Sequence, residues 1–154
     1  MSNQPPETEG KAEVENLIFE ILPVAKQMLK ETGEFFPYGG YMAEDGTITH
    51  LGAKLEDTDR PASTPLIDLL LRTLQEKARD GECKAGAIVF DVLITPPGAS
   101  EKSDAIQVNA DHKRGYSVEV LFPYKLTKDG LSFGQTFAQK GENKMFTSRN
   151  TNRT

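Results

Sequence analysis

Long apolar runs, cysteine pairs, histidine clusters and concentrated positive charge are all missing from this chain of 154 residues. No apolar stretch approaches the roughly 18 residues that a membrane-crossing helix needs, so no membrane partner is expected. Met1 to Gly10 are polar and acidic, without the basic start and apolar stretch of a secretory signal. Cys83 is the only cysteine, which rules out a disulfide within the chain. These features give a cytoplasmic protein as the expectation. The formal net charge is −5. Nucleic-acid backbones are held by clustered Lys and Arg through counterion release, and without such a cluster nucleic acid is not an expected partner.

The usual signatures of catalysis are absent too. His50 and His112 are the only histidines, and neither has a second ligand at helical spacing or a repeated Cys pattern beside it. No metal and no cofactor are expected on that basis. Gly39-Gly40 lacks the following helix and Lys of a phosphate loop, and no serine sits in a nucleophile elbow. Lys84 beside Cys83 would favour a thiolate, but Glu82 opposes it, so an incidental cysteine is expected. The sequence leans away from an enzyme. His50, at the end of an early hairpin, is the one candidate general base. Asp104, Asp111 and His112 form at most a weak hard-ion site, with His112 expected in solvent.

Apolar residues at 37% and charged residues at 27% suit a folded domain, and the length fits one. Residues 1–12 read as a disordered N-terminal segment, 13–138 as a single α+β domain, and 139–154 as a polar basic C-terminal tail. That tail carries Lys140, Lys144, Arg149 and Arg153 against Glu142 alone.

From Glu13, the residues Val14, Leu17, Ile18, Ile21, Leu22, Ala25, Met28 and Leu29 fall on one helical stripe. Pro23 lies inside it, which predicts a kink or two shorter helices, and Gly33 is the expected cap. Glu34 to Gly52 read as a hairpin around Asp45-Gly46, with Gly39-Gly40 marking a bulge or a close backbone approach. A polar loop over 54–62 leads to a second helix capped by Ser63 or Thr64, with Pro65 in its first turn. Leu66, Ile67, Leu70, Leu71 and Leu74 supply its apolar stripe, and Gly81 ends it.

Three strand-like runs follow. A three-residue loop, Lys113-Arg114-Gly115, pairs Ala110 with Val118, Val108 with Val120 and Ile106 with Phe122. A two-residue loop would set Val108 against Glu119, so the apolar pattern selects the longer one. Ile88, Phe90, Val92 and Ile94 are assigned to the same inner face, and Ser132 to Ala138 to a last short strand. The expected fold is therefore α+β. An antiparallel sheet of five or six strands, hairpin plus meander, packs with two helices in the order α-β-β-α-β-β-β-(β). This order, over about residues 13–125, resembles those of the roadblock/profilin-like regulatory domain and the nuclear-transport-factor-like cone. The resemblance is one of element order and implies no activity.

Two surfaces follow from this register. Asp91, Gln107, Asn109 and Glu119 would form a polar group on the outer sheet face, set against the plain reading of a half-hydrated sheet. Phe36-Pro37-Tyr38 and Phe122-Pro123-Tyr124 repeat one tripeptide, and Phe35, Tyr38, Tyr41 and Tyr124 would form an aromatic recognition rim. Two helices do not readily cover both faces of such a sheet. The leading expectation is a non-catalytic binding or regulatory protein acting through protein–protein contact. It would be a homodimer through an apolar part of the sheet or an exposed edge. A narrower version is an acidic bacterial protein that neutralises a basic partner. The alternative is a small enzyme or ligand-binding protein with a pocket between the sheet and the first helix, using His50, Asp91, Asn109 and Glu119.

Overall fold

The structure, a computed structural model, describes residues 6–52 and 63–146. The expected polar loop over 54–62 lies outside the described residues, as does the end of the C-terminal segment with Arg149 and Arg153. The order is α1 (Pro6–Thr32), β1 (Tyr38–Met42), β2 (Ile48–Leu51), α2 (Ser63–Arg79), β3 (Ala85–Ile94), β4 (Ser103–His112), β5 (Ser117–Thr127), β6 (Gly130–Phe133) and β7 (Phe137–Lys140). The α+β fold is as expected, but the antiparallel sheet has seven strands rather than five or six. They run β2-β1-β3-β4-β5-β6, with β7 also pairing with β5.

The extra strand has a covalent cause. A single final strand was expected over Ser132–Ala138. Instead β6 pairs with Tyr124–Thr127 and β7 with Val118–Leu121. Between them, the carbonyl of Pro123 accepts from Gly134 N at 2.8 Å. That side of Pro123 is also where its missing N–H would point, so the outer ladder breaks there.

Helix α1 begins at Pro6, earlier than Glu13, so part of the expected disordered lead-in is helical. Pro23 does not split it. The Tyr38 hydroxyl accepts from Ala25 N at 3.0 Å and donates to Ile21 O at 2.7 Å. It is inserted into the i→i−4 step just past the proline, so that both backbone groups keep a partner. Gly39 and Gly40 mark a close approach: a Cβ on Gly39 would meet the Ala87 carbonyl, and one on Gly40 would lie 2.9 Å from Ile21 Cγ2.

The β4–β5 register is the expected one, with Ala110↔Val118, Val108↔Val120 and Ile106↔Phe122. Gly115 supplies the turn's positive φ of 110°. Strand β3 differs. Val89, not Ile88, shares a side with Val108, so Asp91 pairs with Ile106. Ile88 and Phe90 accordingly belong to the opposite face. Ala85–Val89 are buried on both sides of the sheet, so their apolar run contains no alternation from which a register could be read.

Each face carries its own core. α1 packs Leu17, Ile21, Ala25 and Leu29 against Ala87, Val89, Ile106 and Val108. α2 packs Leu70 and Leu74 with Ile88, Cys83, Met145 and Phe146. The segment expected to be a polar tail thus places two apolar side chains in the second core.

Candidate functional site

The polar residues proposed for one sheet face do not stay together. Asn109 and Glu119 are cross-strand partners, and Gln107 follows on the same face, the one that α2 packs against. Gln107 Nε2 donates to Asn109 Oδ1 at 2.8 Å, and Gln139 Nε2 donates to Glu119 Oε1 at 2.7 Å. Asp91 lies on the other face, where its Oδ1 accepts from the Tyr124 hydroxyl at 2.9 Å. Lost hydration holds the Asp91 carboxyl above its usual range, against the opposing effect of that hydrogen bond.

Asp111 takes the place expected for Asp91. It is 6% exposed, and burial raises its pKa despite two donors. Ser117 Oγ donates to Oδ1 at 2.6 Å and Met145 N to Oδ2 at 3.1 Å. Asn143 N in turn donates to Ser117 Oγ at 2.9 Å, and Gln75 Nε2 donates to Lys144 O at 3.0 Å. Residues 141–146 are thereby strapped across β4 and β5 and under α2. A cavity of about 130 Å³ lies beneath them, lined in part by Asn109, Asp111, Glu119 and Asn143. The buried Asn143 Oδ1 lacks a hydrogen-bond partner among the described residues.

The four aromatic residues form no common rim. Phe35 is buried and meets Tyr38 edge to face, with ring centroids 6.1 Å apart. Tyr38 is occupied with α1, and burial pushes its pKa up to about 12. Tyr124 is buried beside Phe133 on the α1 face, while Tyr41 packs on the α2 face with the Lys77 ammonium 4.8 Å from its ring centroid. The repeated Phe-Pro-Tyr therefore serves two separate packing tasks.

His50 sits on the edge strand β2, its Nε2 4.0 Å from Glu20 Oε2. Neither Asp91 nor Glu119 approaches it as a hydrogen-bond partner. His112, expected in solvent, is 0% exposed. Its Nδ1 accepts from Arg114 N at 3.0 Å, which leaves Nε2 to donate to Glu13 Oε1 at 2.7 Å. Glu13 also pairs with Lys84 at 2.6 Å. Burial alone would raise the Glu13 pKa, but its hydrogen bonds to Lys84 and His112 outweigh burial and hold it low. With both ring nitrogens engaged, His112 ties α1 to the β4–β5 turn and has no lone pair left to act as a base. It also points to the opposite face from Asp111, which removes the suggested hard-ion site. Among the described residues no group of three or more His, Cys, Asp or Glu side chains is arranged to hold a metal. Cys83 is buried, and burial pushes its thiol up to about 11, far from a reactive thiolate.

The surface that sequence reasoning missed lies beside α1. The helix rests mainly on β3, β4 and β1. Next to it an apolar groove of about 480 Å³ opens between Val14, Ile18, Phe19 and Leu22 on one wall and Val118, Val120, Phe122 and Ala138 on the other. Phe19 stands at its rim with 82% of its surface in water. The available signal was Phe19 itself, an aromatic residue one position off the buried stripe. Compared with family models, curated proteins and solved structures, the chain matches none.

Proposed function

We propose that the protein is a non-catalytic binding or regulatory protein that acts through protein–protein contact at the α1–β5 groove. The observation that carries this reading is the pairing of the 82% exposed Phe19 with an apolar recess beside it. Moving a side chain of this size fully out of water contributes about 1.5–3 kcal/mol, and aromatic anchors of this kind dominate many interfaces. Support also comes from the separation of the catalytic candidates. His50 is on an edge strand, Asp91 on the α1 face and Glu119 on the α2 face, so no carboxylate pair or carboxylate–histidine pair is assembled from them.

A photoreactive phenylalanine analogue at position 19 tests the reading in extract from the source cells. A discrete protein adduct is expected, and it should be lost when Val120→Glu places a charge in the groove. Labelling that is diffuse and indifferent to Val120→Glu contradicts the proposal. The groove's volume also favours a second reading, since it falls within the roughly 300–1,000 Å³ of small-molecule pockets. In that case an apolar ligand would lie between α1 and the sheet, and its polar contacts would come from Lys11 and Glu15 rather than His50, Asp91, Asn109 or Glu119.

A further inference from the structure

We infer that the partner in this groove is a second copy of the same chain, with the two α1 helices lying antiparallel about a two-fold axis between Phe19 and Leu22. The inference rests on the groove being a protein-contact surface and adds the identity of the occupant.

Three observations specify a helix of this sequence. The first is width. Strands lie about 4.8 Å apart and a helix with its side chains is about 10–12 Å across, so one helix covers two or three strands. α1 lies mainly over β3, β4 and β1 and also touches β6, so the open strip is the one over β5 and β7 beside Lys11–Leu22, two strands wide and enough for one more helix.

The second is self-complementarity. A two-fold interface requires a single patch to contain both a projection and the recess that receives it. Phe19 is the projection, and Val118, Val120, Phe122 and Ala138 floor the recess a few ångströms away.

The third is charge. Glu15, Phe19, Leu22 and Lys26 share one stripe of α1 at four- and three-residue spacing. Antiparallel pairing that sets Phe19 against Leu22 of the partner subunit also sets Glu15 against Lys26 of the partner subunit, twice by symmetry. A parallel arrangement would oppose like charges instead. Lys26 reaches over β6, its ammonium 4.9 Å from the Phe133 ring centroid. The same pairing brings Lys11 opposite Lys30 of the partner subunit. These lie about 14 Å along the axis from the crossing point, where helices crossing at about 20–50° have diverged.

Sedimentation equilibrium of the full chain over the micromolar range tests this, with Nile red as a probe of the open groove. Wild type should be a dimer that takes up Nile red only on dilution. Phe19→Ser, at an exposed site that leaves the fold intact by circular dichroism, should weaken the dimer at least tenfold. Glu15→Lys and Lys26→Glu should each weaken it several-fold, and the double exchange should recover most of the loss. A dimer indifferent to Phe19→Ser overturns the inference. So does a chain that stays monomeric throughout. If that monomer binds Nile red and Val120→Glu abolishes the binding, the groove survives as a surface for another partner. If it binds none, the proposed function fails with the dimer.

Discussion

Tyr38 resolves the problem that Pro23 creates. A proline inside a helix removes one donor and crowds the preceding turn. Here the Tyr38 hydroxyl bridges Ala25 N and Ile21 O, so the helix continues through residue 32. Tyr38→Phe should strand both groups and cost about 1–3 kcal/mol, read as a lower urea midpoint at unchanged slope. The pH dependence has a definite sign. The folded-state pKa of about 12 exceeds the ordinary value of about 10, so the phenol's contribution is complete below pH 10 and is lost as pH rises toward 12. The gap between wild type and Tyr38→Phe should narrow across that window, and a gap constant to pH 12 would contradict the bridge. Neither this contact nor the His112–Glu13 pair was legible in the sequence. The second joins residues 99 positions apart, and a histidine beside a turn looks like a hydrated one until α1 is known to cover it.

At the scale of elements, what could be read depended on whether a strand alternates. Strands β4 and β5 do, and a three-residue loop ending in Gly115 fixed their register. Strand β3 is buried on both sides over Ala85–Val89, so its pattern allows either register, and Asp91 falls opposite Ile106 on the α1 face rather than beside Gln107. The strap over 141–146 was hidden by its own composition, since its Lys and Glu residues look solvated and only Met145 and Phe146 go inside. Gly141 permits the crossing, because a Cβ there would collide with Ser117 Oγ. Asp111 is the clasp, accepting from Met145 N and Ser117 Oγ. Asp111→Ala should therefore leave Met145 N–H buried without a partner, at about 1–3 kcal/mol. Trypsin cleavage after Lys144 should accelerate well before global unfolding, together with faster amide exchange at Met145. Cleavage at the wild-type rate would mean that the apolar contacts hold the strap without the clasp.

For the molecule as a whole, the sheet is wider than the helices that cover it, and that mismatch was readable from the element order alone. The sequence could not locate the uncovered strip, because that depends on α1 lying over β1, β3 and β4 rather than over β5. Leu93 provides an internal control. It is 61% exposed in the single chain but lies away from the groove, whereas Phe19 is 82% exposed at its rim. Hydroxyl-radical labelling of both side chains, compared between dilute and concentrated protein, is the most direct test of a covered groove. Phe19 should become strongly protected as concentration rises while Leu93 labels at a constant rate. Equal labelling of Phe19 at every concentration would show that no second chain covers it.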